Sequence, residues 1–181
     1  MHNGIIENHA ALREDLDVEF ASETDSEVAA HLLSREVAAG ADLVSAMRAV
    51  VTRLEGAFTL VAVDAADPDR IVAARRNSPL VVGIGDGEYF LASDVAAFIE
   101  HTRDAVELGQ DQIVELTRDG VVVTNFDGTP AETRSFHVDW DLSAAQKQGY
   151  DWFMRKEIFE QPRAVADTLN QIGRASCRER V

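Results

Sequence analysis

Residues 2–16 have the sequence HNGIIENHAALREDL, and we start from this stretch because it sets the first strand and helix of the domain. A polar triplet, His2-Asn3-Gly4, is followed by an apolar pair and then by apolar residues at helical spacing. Domains seldom begin on such a dense polar segment, because chain termini fray. We therefore expect the chain to be an internal piece of a longer protein.

The pattern after this stretch predicts helices first, then many strands, then a helical tail. A short strand is expected at 18–22, and two helices are expected across 22–54. The second helix is predicted to bury one apolar face, formed by Leu43, Met47, Val50, Val51 and Leu54. Loose structure is expected from 135 to 149, followed by a helix that breaks or kinks at Pro162. The aromatic residues of this tail are interpreted as a packing stripe: Tyr150, Trp152, Phe153 and Phe159. This order predicts an α+β domain in which stacked sheets are flanked by helices. The strands from 57 to 126 are separated by turns predicted at 67–69, at 85–87 and at Asp119-Gly120.

Composition excludes several functional classes. The chain has 181 residues, of which 46% are hydrophobic, and its 32 acidic against 17 basic residues give a net charge of −15. This balance argues against a protein that binds nucleic acid or an anionic membrane, since phosphate contacts need clustered lysine and arginine. No apolar run is long enough to span a bilayer, and the start does not resemble a signal peptide. We expect a cytoplasmic protein.

Cysteine and histidine usage predicts neither a disulfide nor a metal site. The one cysteine, Cys177, leaves no internal pair, and the five histidines lack metal-ligand spacing. The glycine-rich segment 83–87 lacks the Gly-Lys-Ser/Thr of a phosphate-binding loop and is interpreted as a hairpin. Residues 173–181, GRASCRERV, differ in composition from everything before them and are interpreted as a non-native tail. No metal or organic cofactor is expected.

Two short motifs are candidates for chemistry, and each has a structural alternative. Asn3 and Gly4 can place a side-chain amide and a backbone N–H side by side, as an oxyanion hole requires; Asn-Gly is also a common turn. In SETDSE, residues 22–27, a carboxylate beside such a site could bind a substrate ammonium group. The alternative is that these acids only cap a helix and complement its dipole.

Six segments occur together in an order that identifies a resemblance. The chain closely resembles the glutaminase domains of the glutamine–fructose-6-phosphate aminotransferases over about residues 2–171. HNG is shared with other class II amidotransferases, whereas SETDSE and the tail KEIFEQP are more specific to this family. The matching segments are HNGIIENHAALREDL, SETDSEVAAHLL, GAFTLVAVD, ARRNSPLVVGIG, FLASDVAAF and MRKEIFEQPRAVADTL.

The resemblance implies a fold and a domain plan. It implies a partial four-layer αββα sandwich of the N-terminal-nucleophile hydrolase type, within an α+β class. Residues 1–143 would be the C-terminal part of the glutaminase domain, and 144–172 a helical linker toward a missing sugar isomerase domain, with 173–181 as the non-native tail. The nucleophilic cysteine and the arginine/threonine loop that binds glutamine would lie upstream of His2.

The resemblance also implies an activity and roles for residues. The parent protein would transfer ammonia from glutamine to fructose 6-phosphate, the latter bound by the missing domain, and would form a homo-oligomer. Asn3 and the Gly4 N–H would form the oxyanion hole, and Asp25 would bind the glutamine α-ammonium. The chain by itself would be inactive. The alternatives are another class II amidotransferase, or a non-catalytic acidic binding domain with this fold.

Overall fold

The computed structural model describes residues 1–139 and 149–178, and the chain divides into two compact units at Asp139/Trp140. The predicted boundary between 143 and 144 falls on residues 140–148, which lie outside the described ranges. Within the described part of the chain, no helix has the length and apolar character needed to cross a membrane. The first unit carries all nine described strands.

Three helices form one layer of the first unit: α1 (His9–Glu14), α2 (Asp25–Ala38) and α3 (Leu43–Val51). Asp42 precedes helix α3 and caps it: its carboxylate accepts a hydrogen bond from Ser45 N–H at 2.8 Å, as an N-cap residue should. The apolar face predicted for α3 is buried, and α2 buries Val28 and Leu32. Helical spacing therefore predicted the inner face of α3 correctly.

The helices pack on a five-stranded antiparallel sheet in the order β1-β2-β3-β7-β8. Ile6, Phe58 and Val72 lie fully buried between this sheet and the helices. The first strand is an edge strand, paired on one side with β2. The strands are β1 (His2–Ile6), β2 (Gly56–Asp64), β3 (Asp67–Arg76), β7 (Gln112–Thr117) and β8 (Gly120–Asn125).

A second antiparallel sheet packs on the other face of the first. Its order is β5-β4-β6-β9, and a second apolar cluster joins Val82 of this sheet to Val114 and Leu116 of β7. The layers are therefore helix, sheet and sheet, as expected for a partial αββα sandwich. The strands are β4 (Val81–Ile84), β5 (Tyr89–Ala92), β6 (Asp104–Glu107) and β9 (Arg134–His137).

The outer face of the second sheet is covered by a short turn of 3-10 helix at Val95–Ala97 and the residues after it. Phe98 is 1% exposed and lies directly on Gly83, where an added Cβ would come within 2.8 Å of the ring. Phe90 stacks on Phe98 with ring centroids 6.0 Å apart. Position 83 thus requires glycine, because the Phe98 ring lies too close for a Cβ atom. Residues 83–87 form a hairpin, as predicted.

Three local predictions are wrong. Residues 18–22 form no strand, because the Ala21 and Ser22 N–H groups donate to the carboxylate of Glu27 instead of to a sheet. Residues 67–69 are not a turn: the chain reverses at positions 65–66, and Asp67 already pairs with Asp64. The stretch from 135 is not wholly loose either, because β9 pairs with β6, with Ser135 opposite Val106.

The second unit contains helix α4 (Phe153–Arg178). The helix runs through Pro162, so of the predicted break or kink the break is excluded and the kink stays a prediction: one missing N–H removes one hydrogen bond, and the helix continues on both sides. Tyr150 and Phe159 stack with centroids 5.8 Å apart. Trp152 is 70% exposed and Phe159 62%, so the aromatic stripe predicted as a packing surface is open in this unit. The non-native origin of 173–181 stays a prediction.

The Arg76 side chain contacts residues from several elements of the first unit. Its guanidinium lies 5.6 and 5.1 Å from the ring centroids of Phe58 and Phe126. It also donates to the carboxylate of Asp111 at 2.7 Å and to the Leu54 carbonyl at 2.8 Å. We expect Arg76→Ala to lower the free energy of unfolding by about 2–4 kcal/mol, because two cation–π contacts and two charge-assisted hydrogen bonds are lost.

Urea unfolding checks this expectation, and Arg118→Ala is a matched control. Arg118 is 82% exposed and pairs with Asp69 on the surface, so its loss should cost less than about 1 kcal/mol. Equal effects of the two substitutions would show that the buried contacts of Arg76 do not stabilise the domain.

Candidate active site

The first strand presents one line of backbone groups to β2 and the other to the open edge of the sheet. Met1 exchanges two hydrogen bonds with Val61, each 2.9 Å long, and Glu7 N–H donates to the Glu55 carbonyl. Backbone groups alternate in direction along an antiparallel strand, so those of residues 2, 4 and 6 face away from β2. The Gly4 N–H therefore faces the edge that no described strand occupies.

Gly4 has a backbone conformation that favours glycine. Its φ is +126°, and an added Cβ would lie 2.1 Å from the Ala57 carbonyl oxygen of β2. Any side chain here would push the two strands apart, so the close pairing of β1 with β2 depends on this residue. His2-Asn3-Gly4 is thus strand and not turn, and the simple-turn interpretation of Asn-Gly is wrong.

The Asn3 side chain lies on the face of β1 opposite to His2 and Ile6, and this face is turned toward the second sheet. With Thr59, Leu80 and Ser93 it lines a cavity of about 140 Å³. Asn3 is exposed, and among the described residues no hydrogen bond holds its side-chain amide. The amide is therefore available to a ligand at the junction of the cavity and the open edge.

Asp25 reaches the same open edge from the first turn of α2. Its Oδ2 accepts a hydrogen bond from the Ile6 N–H at 2.9 Å. Partial burial raises the pKa of Asp25, but the hydrogen bond from Ile6 and the neighbouring His2 outweigh it, so the pKa lies below its ordinary value. The structure thus brings Asp25 and the Gly4 N–H to one edge, while no described hydrogen bond joins Asp25 to Asn3.

Two residues that the sequence analysis did not select also contact Asp25. His2 Nδ1 lies 2.9 Å from Ser26 Oγ and 3.5 Å from Asp25 Oδ1. The sequence signal was available: in a strand, His2 and Ile6 share a face, and Ile6 is in the helix-side core. That spacing predicts a histidine turned toward α2.

Glu27 holds the loop that leads into Asp25. Its carboxylate accepts hydrogen bonds from Ser22 Oγ at 2.5 Å and from the N–H groups of Ala21 and Ser22, both at 2.7 Å. The Ser22 hydroxyl, the Ala21 N–H and the other hydrogen bonds lower the pKa of Glu27 to about 2. Arg13 adds a bond to the Ser22 carbonyl and lies 4.0 Å above the Phe20 ring.

These contacts predict a pH dependence. A carboxylate whose pKa is lowered by folding stabilises the fold above its unfolded-state pKa, and this contribution is lost as pH falls toward the folded value. Glu27→Gln should therefore lower the melting temperature at pH 6 and have a much smaller effect near pH 2, with the difference shrinking as pH falls from 4.5 and disappearing only below about 2. Thermal unfolding of both proteins across this range checks the expectation; a difference independent of pH would contradict it.

The fold and this edge define a class of protein. A family model for the glutamine amidotransferase domain matches residues 1–100. The chain belongs to the glutamine amidotransferase domain family.

Curated relatives and solved structures agree with this assignment. The chain is 72% identical over 172 residues to glutamine–fructose-6-phosphate aminotransferase (isomerizing) of Streptomyces coelicolor, and the match covers 93% of this chain and 28% of the relative. The protein of the same name from Mycobacterium tuberculosis is 59% identical over 180 residues, covering 93% and 29%. The chain thus spans less than a third of the length of these relatives.

Solved structures show the fold. Glutamine phosphoribosylpyrophosphate amidotransferase of B. subtilis, complexed with ADP and GMP, is similar with a TM-score of 0.59 at 22% identity, over 70% of this chain and 28% of that one. An allosteric regulatory enzyme of purine biosynthesis gives a TM-score of 0.60 at 24% identity, over 69% and 27%. These similarities confirm the fold that the resemblance implied, an α+β sandwich of stacked antiparallel sheets with a helical layer.

Proposed function

We propose that the protein transfers ammonia from glutamine to fructose 6-phosphate, giving glucosamine 6-phosphate and glutamate. Identity of 72% over 93% of the chain to a protein named for this reaction supports the proposal. Because the relatives are more than three times as long, the sugar phosphate would bind to a part of the protein outside this chain. Residues 144–172 would lead toward that part, in a cytoplasmic homo-oligomer.

The observation that supports the glutamine-hydrolysing half of this reaction is the open edge of β1. The Gly4 and Ile6 nitrogens are two residues apart, which is about 7 Å along a strand. The first would face the amide oxygen of glutamine, and Asp25, bound to the second, would face its α-ammonium. The four carbons between these two ends of glutamine give a comparable separation.

The chemistry then follows from where charge develops. A thiolate, which the family places at the mature N-terminus, would attack the amide carbon and build negative charge on its oxygen. The Asn3 amide and the Gly4 N–H, both neutral donors, would stabilise that oxyanion without adding a titratable group. The proton lost on forming the thiolate would pass to the leaving nitrogen, so that collapse releases ammonia and leaves a thioester, which water hydrolyses to glutamate and the free thiol.

Nitrogen tracing in the intact gene product tests this function. Glutamine labelled with ¹⁵N in the side-chain amide should give labelled glucosamine 6-phosphate when fructose 6-phosphate is present, with one glutamate formed for each amino sugar. Glutamate release with transfer to a different acceptor would indicate another class II amidotransferase. No glutamine binding and no glutamate release would indicate a binding domain and overturn the proposal.

A further inference from the structure

His2 is buried against the candidate glutamine site without being part of the predicted oxyanion hole. Its side chain is 4% exposed and faces the N-terminal end of α2. Nδ1 contacts Ser26 Oγ at 2.9 Å, and Ser26 Oγ lies 3.4 Å from Asp25 Oδ1. A chain of three polar side chains thus runs from the core side of β1 to its open edge.

The carboxylate fixes the direction of the hydrogen bonds in this chain. An ionised aspartate only accepts, so the Ser26 hydroxyl donates to Asp25. Ser26 Oγ then accepts from His2, which places the imidazole proton on Nδ1. The opposite tautomer would draw the Ser26 proton toward His2 and leave Asp25 Oδ1 without this donor.

Both carboxylate oxygens of Asp25 therefore accept hydrogen bonds from neighbouring residues of the protein. Oδ2 is bound by the Ile6 N–H, and Oδ1 by Ser26 with His2 at 3.5 Å behind it. Each carboxylate oxygen still has acceptor capacity, and the side chain is 20% exposed. An ammonium group arriving at the open edge would meet a carboxylate that is already oriented.

The histidine itself gains little from this position. Its Nε2 is buried and has no hydrogen-bond partner among the described residues. An unpaired buried nitrogen lowers stability, and an apolar side chain of similar shape would avoid that cost. The ring is thus better explained by what it does for Asp25 than by packing.

We propose that His2 is a positioning residue which, through Ser26, orients Asp25 toward the α-ammonium group of glutamine. This inference rests on the proposed function, because it deepens the role assigned to Asp25. A rigid, pre-oriented carboxylate loses less rotamer entropy when the substrate binds. The contribution belongs to substrate binding and not to the reacting amide, which lies at Gly4.

Steady-state kinetics of glutamate release by the intact gene product test the proposal. His2→Phe should raise KM for glutamine about tenfold, as expected for loss of one hydrogen-bonded support of a charged group, and change kcat by less than about twofold. Ser26→Ala should do the same. The melting temperature of His2→Phe should not fall, since an unpaired buried nitrogen is removed.

Two conservative variants separate positioning from packing. In His2→Asn an amide nitrogen replaces Nδ1 and keeps the donor to Ser26, so KM should return to near the native value. His2→Gln carries its amide one bond farther out, near Nε2, and should resemble His2→Phe. His137→Phe, which removes an exposed histidine paired with Asp104, should leave KM unchanged.

The outcomes distinguish this inference from the proposed function. If Asp25→Asn raises KM but His2→Phe and Ser26→Ala do not, the positioning role is wrong and the ammonium site stands. Equal KM values for His2→Asn and His2→Gln would also overturn the role of Nδ1. If Asp25→Asn leaves KM unchanged, the ammonium site is wrong and the inference fails with it.

Discussion

Replacing Asn3 with alanine in the intact gene product is expected to lower kcat for glutamine hydrolysis by about 10²–10³-fold, the usual effect of removing one oxyanion donor. The Asn3 amide borders the cavity between the sheets, and no described hydrogen bond ties it to the protein. The amide is therefore free to donate a hydrogen bond to the substrate oxygen, which becomes negatively charged only in the transition state. KM should change little, and stopped-time measurement of glutamate gives both constants.

Asn8→Ala is a matched control for this substitution. The Asn8 side chain donates to the Arg53 carbonyl at 2.8 Å and accepts from the Glu55 N–H at 3.0 Å, so it fastens α1 to the loop before β2. Its loss should lower the unfolding midpoint and leave kcat near the native value, whereas Asn3→Ala should do the reverse. A loss of kcat that follows the loss of stability in both variants would contradict the role of Asn3.

The 181-residue chain assayed alone is expected to release no glutamate above the buffer blank. An oxyanion hole lowers a barrier only for a nucleophile that is present, and the one cysteine of the chain is Cys177. That residue lies in the second unit, far along the chain from Asn3 and Gly4. The intact gene product, assayed beside it, should turn over glutamine.

A clear rate from the chain alone would contradict this expectation. Cys177→Ala would then show the source: a rate that disappears would make Cys177 the nucleophile, and an unchanged rate would point to a different chemistry altogether.

The parts of the fold set by local pattern were predictable from the sequence. The buried face of α3 followed from apolar residues at helical spacing. The hairpin of β7 and β8 followed from the Asp119-Gly120 signal, although its two turn residues are Arg118 and Asp119 and Gly120 already pairs with Thr117. These elements agree with the structure because burial and local propensity favour the same conformation there.

Predictions failed where a side chain competed for the backbone. Residues 18–22 have the apolar alternation of a strand, but two of their N–H groups donate hydrogen bonds to the Glu27 carboxylate. No pattern within the segment reveals these hydrogen bonds. The reversal at 65–66 was misplaced because Pro68 suggested a turn, whereas it lies at the exposed start of β3. Proline is tolerated at the first positions of a strand.

The candidate site was predictable in composition but not in arrangement. The motifs supplied Asn3, Gly4 and Asp25, yet spacing along the chain does not show that Asp25 reaches Ile6 from another element. The spacing of His2 from Ile6 indicates the face of β1 on which His2 lies, but it does not identify Ser26 as its partner, since that contact crosses from β1 to α2. Such tertiary contacts depend on how the layers pack and not on any local periodicity.

The most direct test of the account is to compare glutaminase kinetics of Asn3→Ala and Asp25→Asn in the intact gene product. If the open edge of β1 binds glutamine as described, the two changes affect different constants. Asn3→Ala lowers kcat, because the lost amide stabilises the transition state. Asp25→Asn raises KM, because the lost carboxylate binds the α-ammonium in ground and transition states alike. Native kinetics in both variants, or the same loss of kcat in both, would contradict the site.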